Sequence, residues 1–419
     1  MTCNLTVIGL GYVGLPLASE ACRAGLRVLG YDNSSAVVEG LNAGTSHIDD
    51  VTDDDVASMK ACGFVVTGVP TDLVDADVLV ICVPTPLSTD GTPDLTAVID
   101  ASKTIATGLR PGCLVVLEST TYPGTTDETV RPLLELGSGL SAGVDFALAY
   151  SPERIDPGNP AFGLCNTPKI VGGLTPACTE RAVEFYERIV DTVVPTVGLR
   201  EAELAKLLEN TYRHVNIALM NEMVVFCHEL DIDLWAAIEA ASTKPFGFEA
   251  FYPGPGVGGH CIPIDPNYLS WVVRSVGFRF RFVELAQEIS ERMPAYISQR
   301  VQTALNAERK AVNGSKILLL GVTYKADIAD QRESPARPLA DQLVAKGAEV
   351  YFFDPYVDSF DLEKGRMSAE KDLKSAVDGA DIVVLLQAHA QIVESGVLDL
   401  ARLVLDTRGV LSGDNVERL

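Results

Sequence analysis

The segment Gly254-Pro255-Gly256-Val257-Gly258-Gly259-His260-Cys261-Ile262-Pro263-Ile264-Asp265 delivers a thiol and then a carboxylate at the end of a run of glycines. Glycines at 254, 256, 258 and 259 bring backbone amides close to a ligand where any side chain would obstruct. A cysteine placed there is a candidate nucleophile, and the loop reads as one that holds an anionic substrate and attacks it. The plainer reading is a Gly/Pro loop with an incidental cysteine. What separates the two is that a nucleotide-binding pattern stands on each side of this segment, and each is legible without the cysteine.

The first pattern begins at Leu5-Thr6-Val7-Ile8, a short apolar run that ends in Gly9-Leu10-Gly11-Tyr12-Val13-Gly14 and is followed by helical character from Leu15 to Arg23. A second strand, Arg27 to Tyr31, ends at Asp32, about twenty residues past the glycines, where a carboxylate accepts from both ribose hydroxyls. That acid selects NAD over NADP, whose 2′-phosphate it would repel. Val78 to Val83 is a continuous apolar strand of the kind buried on both faces of a parallel sheet, and it ends in Pro84-Thr85-Pro86. Leu114 to Leu117 ends in Glu118-Ser119-Thr120, and Phe146 to Tyr150 delivers Ser151-Pro152-Glu153-Arg154. Ligands of doubly wound sheets lie at the carboxyl ends of the strands, so Pro84, Thr85, Pro86, Glu118 and Ser119 are expected to face the cofactor. Glu153 is a carboxylate at such a tip, or else a solvated loop acid.

From Glu201 to Glu229 there is no Gly or Pro, and apolar residues recur at steps of three and four. The spacing predicts a helix of about 29 residues, roughly 43 Å long, too long for one small domain. Such a helix is expected to bridge two domains and pack against a second subunit. Lys206 and Asn210 share one face of it, as a site pair or as a solvated surface pair. Arg213 and His214, one turn on, reach either the same cleft or solvent.

A second strand series follows: Lys316 to Gly321, Ala348 to Asp354, and an Ala380-Asp381 strand that echoes Ala76-Asp77. The order of strand, turn, helix, strand ending in Asp, and Ala-Asp strand therefore occurs twice. The expectation is an α/β chain with two Rossmann-like doubly wound domains joined by a long central helix and a helical middle. The boundaries fall at 1–198 for NAD, 199–300 for the helical, dimerising part with the cysteine loop, and 301–419 for a second nucleotide. The second copy has Gly321-Val322-Thr323-Tyr324-Lys325 in place of the triple-glycine turn, so Lys325 would neutralise a phosphate, and the halves should bind different nucleotides. Arg332 is a phosphate or carboxylate clamp, or an ion-pair partner of a neighbouring acid.

Composition narrows the choice further. The 419 residues are 47% hydrophobic, and 57 acidic against 33 basic residues give a net charge of −24, which argues against nucleic acid or an anionic membrane surface as partner. No apolar run of 18 residues occurs, and the start of the chain has no signal-peptide core, so a soluble, cytoplasmic protein is expected. Nine cysteines without a CxxC pair suggest neither a disulfide framework nor a metal site.

Chemically, a nicotinamide alone takes an alcohol to an aldehyde. A cysteine beside it allows more: the thiolate adds to the aldehyde, a second hydride leaves, and the thioester is hydrolysed to an acid. Lys206 can assist loss of the alcohol proton and, with Asn210, stabilise the oxyanion. Glu153, with Thr120, can handle the hydrolytic water, and Asp265 can hold the lysine or that water in place.

The segments GLGYVGLPLA, CVPTPL, ESTTYPGTT, SPERIDPGN, the face of Lys206 and Asn210, GPGVGGHCIPIDP and GVTYKADIADQRESP together resemble the UDP-glucose/GDP-mannose 6-dehydrogenase family, in family order over nearly the whole chain. The resemblance implies a four-electron oxidation of a sugar C6 hydroxyl to a uronic acid for polysaccharide biosynthesis, with two NAD per turnover and a dimer built on the long helix. It implies Cys261 as nucleophile, Lys206 and Asn210 as the oxyanion and proton-transfer pair, Asp265 as their partner, and Thr120 and Glu153 as water-handling residues. Phe251, Tyr252, Gly256 and Gly258 resemble the loop that grips the nucleotide sugar, and Lys325 and Arg332 match positions contacting substrate or cofactor phosphates. SPERIDPGN with Arg154, the pair Arg213-His214, and Gly-His-Cys-Ile-Pro resemble the branch acting on UDP-N-acetylhexosamines, with UDP-glucose as the alternative substrate. A two-electron dehydrogenase, or a nucleotide-binding regulator without turnover, would have no use for Cys261.

Overall fold

The computed structural model describes residues 4–48, 50–88, 91–156, 159, 161–259 and 262–419. It separates into two compact units, one of residues up to 209 with 267–278, the other of 210–266 with 279–419. His260 and Cys261 lie outside the described residues.

The first unit is built on β1 (Asn4–Ile8), β2 (Arg27–Tyr31), β3 (Val65–Thr67), β4 (Val78–Ile81), β5 (Leu114–Leu117), β6 (Ala147–Tyr150), β7 (Lys169–Gly173) and β8 (Val193–Pro195). Their order in the sheet is β3-β2-β1-β4-β5-β6-β7-β8, parallel throughout except for the antiparallel pair β6 and β7. β4 and β5 are buried at every residue, as their unbroken apolar runs require of central strands covered on both faces. The strand order reverses beside β1, which is where a doubly wound sheet opens its ligand crevice.

The second unit carries β9 (Lys316–Leu320), β10 (Glu349–Phe353), β11 (Ser359–Leu362), β12 (Gly365–Ser368), β13 (Ile382–Leu385), β14 (Val404–Asp406) and β15 (Val416–Arg418). Five of them form a parallel sheet in the order β10-β9-β13-β14-β15, and β11 and β12 make a separate antiparallel hairpin. Met293, Ile297 and Val301 of the helix Arg281–Ala307 share a core with Leu319 and Val384 of this sheet.

The repeat read from the sequence is present at the level of single hydrogen bonds. In the first unit Asp32 accepts from the Leu10 and Ser34 amides, each at 2.9 Å. In the second, Asp354 accepts from the Val322 amide at 2.7 Å and the Tyr356 amide at 2.9 Å. Gly9 and Gly321 take φ of +90° and +75°, and a Cβ on either would strike the segment after a neighbouring strand, Cys82 after β4 or Gln387 after β13. Both halves use one strand-turn-acid device, closed by a glycine that no other residue replaces without strain.

The helix Leu199–Glu229 has 31 residues and runs from the first unit into the second. Its inward surface is apolar at Leu207, Ala218, Val224 and Cys227 but polar at Glu203, Lys206, Asn210, His214 and Asn221. Leucines 204, 208 and 219 and Phe226 instead face outward, Leu208 with 63% exposure. Five of the seven described cysteines are buried, with Cys62 exposed and Cys165 half-buried, and all seven are free thiols.

Candidate active site

The turn after β1 suits a dinucleotide. A Cβ on Gly14 would lie 1.8 Å from the Gly9 carbonyl oxygen, so this glycine lets the helix Gly14–Arg23 close onto the strand. Gly11 has nothing within 4 Å of where a Cβ would be, which leaves its backbone open to a ligand. Val13 caps the helix without a side-chain hydrogen bond, and no acid stands in the first turn, so the amino-terminal N–H groups remain free of side-chain acceptors. An anionic pyrophosphate satisfies such amides and is favoured by the helix dipole. Tyr12 is 43% exposed beside them. Asp32, with one lone pair on each oxygen committed to the backbone, still has acceptors for ribose hydroxyls. These residues fit NAD.

The tips of β4 and β5 are tied together. The Thr85 hydroxyl donates to the Thr120 carbonyl at 2.8 Å, and the Ser119 hydroxyl to the Val83 carbonyl at 2.7 Å. Pro84 and Pro86 are exposed on either side of the buried Thr85. Glu118 departs from the sequence expectation of a polar tip turned to the cofactor. Its side chain has no exposure and pairs with Lys169 at 3.1 Å, because the lysine that opens β7 supplies a buried counter-charge. Glu203 of the long helix braces the same region by accepting from the Gly124 amide at 2.6 Å, the Thr126 amide at 2.9 Å and the Thr126 hydroxyl at 2.7 Å. Burial pushes its carboxyl up to about 7 despite these donors.

Glu153 is not a solvated loop acid. Its side chain is 14% exposed, Oε1 accepts from the amides of Arg154 and Ile155 at 2.6 and 2.7 Å, and Oε2 lies 3.5 Å from Lys169 Nζ. Arg154, expected at the substrate, is engaged within the first unit: its guanidinium meets Glu209 at 2.7 and 3.2 Å and donates to the Pro168 carbonyl.

Lys206 and Asn210 are buried, at 8% and 6% exposure, so the surface-pair reading falls away. Asn210 Nδ2 donates to Asp265 Oδ2 at 2.5 Å, and it is this amide, within the second unit, that holds the carboxylate. No hydrogen bond or ion pair of Lys206 occurs among the described residues. Arg213 is exposed, whereas His214 is fully buried with no hydrogen-bond partner on either ring nitrogen among the described residues. Burial alone pushes the His214 imidazole down to about 4, which leaves it neutral near pH 7.

The glycine loop owes its composition to its neighbours. A Cβ on Gly258 would come within 2.7 Å of the Glu333 carbonyl oxygen and of Tyr324 Cβ; one on Gly259, at φ +87°, within 2.7 Å of the Tyr324 ring. The Gly259 amide donates to the Arg332 carbonyl at 2.9 Å. Gly256, at φ +133°, lies against Pro335 and the Ser290 carbonyl. The glycines thus let this loop close onto the 324–335 segment, which carries Lys325 and Arg332. Arg332 pairs with Asp330 at 2.6 to 3.0 Å, the ion-pair role that the sequence left open. Phe251 packs edge-on against Tyr212 with centroids 5.6 Å apart, and Tyr252 is 48% exposed.

Three charged residues escaped the sequence reading: Lys169, Glu203 and Arg408. Lys169 sits on a strand that ends in Gly172-Gly173, a poor strand signal. Those glycines are required because a Cβ would lie 2.2 Å from the Gly198 carbonyl oxygen or from the Thr179 amide. Arg408 places NH1 3.0 Å from where a Gly254 Cβ would be, and its Nε donates to the Leu386 carbonyl at 2.6 Å. Burial lowers this guanidinium to about 10, still cationic at neutral pH, so a positive charge faces the glycine loop.

Among the described residues no helix is long and apolar enough to cross a membrane. Three family models match the chain in series: the NAD binding domain of the UDP-glucose/GDP-mannose dehydrogenase family at residues 3–190, its central domain at 200–292 and its UDP binding domain at 318–413. The chain is 36% identical over 390 residues to UDP-N-acetyl-D-mannosamine dehydrogenase of Pyrococcus horikoshii, covering 93% of this chain and 90% of that protein. It is 35% identical over 404 residues to UDP-N-acetyl-D-glucosamine 6-dehydrogenase of Pseudomonas aeruginosa, covering 96% and 94%. The solved structure of the Pyrococcus horikoshii UDP-D-ManNAc dehydrogenase superposes with a TM-score of 0.89 at 33% identity, over 99% of this chain and 98% of that one. The glycine turn with Asp32 and the paired strand-turn-acid halves thus belong to a member of the UDP-glucose/GDP-mannose dehydrogenase family, an NAD-dependent oxidoreductase of nucleotide sugars.

Proposed function

We propose that the protein oxidises the C6 hydroxyl of a UDP-N-acetylhexosamine, UDP-N-acetylglucosamine or UDP-N-acetylmannosamine, to a carboxylate, with Cys261 as nucleophile. The observation that carries this reading is the hydrogen bond from Asn210 to Asp265. It ties the chain just past Cys261 to the helix face that bears Lys206. Relatives acting on both N-acetylhexosamines, at 36% and 35% identity, favour that branch without choosing between the two sugars.

Each residue then has a task. NAD supplies the hydride acceptor for both oxidations, held by the glycine turn and Asp32. Lys206, buried without a counter-ion among the described residues, stabilises the C6 alkoxide by its charge. The second N–H of Asn210 Nδ2 is left for the oxyanion, because the first is spent on Asp265. The Cys261 thiolate adds to the aldehyde carbon, and the resulting oxidation leaves a thioester. Thr120 and Glu153 handle the water that hydrolyses it. Lys325, Arg332 and Arg408 supply positive charge for the UDP phosphates, and the exposed Arg213 contacts the sugar, from which the burial of His214 excludes it.

The outward leucines 204, 208 and 219 and Phe226 of the long helix suit a second copy of this chain, giving a homodimer, since a monomer rarely leaves such a row in water. The enzyme is read as cytoplasmic. Incubation of the pure enzyme with NAD and each UDP-sugar, following NADH and the acid product, tests the reaction. Two NADH per N-acetylhexosamine consumed is expected; turnover confined to UDP-glucose, or one NADH per sugar, overturns it.

A further inference from the structure

Lys169 opens β7 with 4% exposure, and two carboxylates share its single ammonium: Glu118 Oε1 at 3.1 Å and Glu153 Oε2 at 3.5 Å. The two acids are held differently. Glu118 is enclosed, accepts from the Tyr186 hydroxyl and lies 3.8 Å from the Cys82 thiol. Glu153 has both backbone donors on Oε1 and keeps some exposure at its side chain. A small concavity lined also by Thr167 and Leu164 lies beside Glu153 and Lys169. With Oε1 committed to two amides, the lone pairs left for chemistry are those of Oε2, the oxygen that Lys169 faces.

The other groups packed around this pair do not replace Lys169. Burial pushes the Cys82 thiol and the Tyr186 phenol well up, so both stay neutral. Arg154 is turned to Glu209 and the Pro168 carbonyl. Burial also pushes Glu118 up, with Lys169 opposing and Glu153 adding to the rise. Burial works against the Lys169 charge as well, yet the two carboxylates, Glu118 foremost, hold its ammonium above the ordinary lysine range.

We infer that Lys169 is a positioning residue for the hydrolytic step: anchored by Glu118, it fixes the Glu153 carboxylate in one orientation, with Oε2 placed to take a proton from the attacking water. This rests on the reading of Glu153 as the base for that water. In the step, the water oxygen bonds to the thioester carbonyl carbon and the carbon–sulfur bond breaks. The sulfur leaves as the Cys261 thiolate, and one water proton passes to Glu153 Oε2. The product is a carboxylic acid, no oxidation state changes, and water is the only co-reactant.

The test compares Lys169→Met, Lys169→Arg, the double variant Lys169→Met/Glu118→Gln and Glu153→Gln in the full-length enzyme with NAD and its UDP-sugar. The double variant removes both members of the buried pair and leaves only Glu153, whose side chain keeps some exposure, without its cation, so it guards against simple misfolding. Lys169→Met and the double variant should show a burst of about two NADH per active site and then steady turnover at least about 10-fold slower. The KM for UDP-sugar should stay unchanged while kcat falls. Mass spectrometry should find the sugar thioester accumulating on Cys261, and Lys169→Arg should restore much of the rate. If Glu153→Gln stalls at the thioester while both Lys169→Met proteins keep the wild-type rate and show neither a burst nor a trapped thioester, the inference about Lys169 is wrong. If Glu153→Gln itself hydrolyses at the wild-type rate, the reading of Glu153 as base fails instead.

Discussion

The Asn210 side chain donates to Asp265 at 2.5 Å across 55 residues of sequence, and both groups are more than nine-tenths buried. An amide clamped by a carboxylate has one N–H direction left, so Asp265 decides where Asn210 can point its remaining donor. Replacing Asn210 by Ala is expected to lower kcat by about 10²- to 10³-fold, the loss typical of one oxyanion donor. Stability should fall by about 1–3 kcal/mol, because the buried Asp265 carboxylate loses a donor. Steady-state kinetics beside a urea titration separates the two effects; equal losses in each would reduce the pair to a structural brace.

Cys261→Ala should bind NAD and UDP-sugar with near-normal affinity and yield no acid, because only the covalent step is lost. Calorimetry with each ligand and product analysis check this. Uronic acid formed at a near-normal rate would remove the thiol from the mechanism.

Gly258→Ala forces a Cβ to within 2.7 Å of a carbonyl oxygen and of Tyr324 Cβ, where neither neighbour is the free end of a flexible chain. A cost of about 1–3 kcal/mol is expected. It should fall on the loop that meets the 324–335 segment, so the KM for UDP-sugar rises while NAD affinity holds. Tm and the two affinities measured together decide it.

His214 gives a pH dependence with a definite sign. Unfolded, it takes a proton near 6.5; folded, burial delays this to about 4. Between those values the unfolded chain binds more protons, so stability rises with pH across the window and is lost on acidification below about 6.5. Denaturant midpoints from pH 4 to 7 should be steeper for the native protein than for His214→Leu, by about 2–3 kcal/mol over the range. Parallel curves would show that His214 is protonated in the fold.

Asp32→Ala removes the acceptor of the Leu10 and Ser34 amides as well as the ribose acid. The KM for NAD should rise at least about 10-fold, and the ratio of NADP to NAD efficiency should increase, since the repelling charge is gone. A variant as strict for NAD as the parent would place cofactor choice elsewhere.

The two halves were legible because strand, tight turn and acid lie within about thirty residues of one another, and local periodicity reports them. Lys169 was not, because its strand is short and ends in glycines, and because a lysine declares its partners only when β5 and the Glu153 turn come alongside. The long helix shows the same limit. Its length was set by the absence of Gly and Pro from Glu201 to Glu229, but leucines lie on more than one face. Nothing in the spacing says that Lys206 and Asn210 turn inward while Leu208 turns out.

The repeated strand-turn-acid order and the NAD fingerprint at Gly9 to Asp32 were determined by residue type and spacing alone, which offered Cys261, Lys206 and Asn210 only as candidates beside plainer readings. Tertiary structure decided their partners. Gly256, Gly258 and Gly259 answer to Tyr324, Glu333 and Pro335, and Glu118 answers to Lys169. Asp354, twin of Asp32, is also occupied: the Asp327 amide donates to His389 Nδ1 at 2.9 Å, which leaves the proton on Nε2, 3.2 Å from the Asp354 carboxylate. Steric closeness and counter-charge are supplied by segments remote in sequence, and a one-dimensional pattern carries neither.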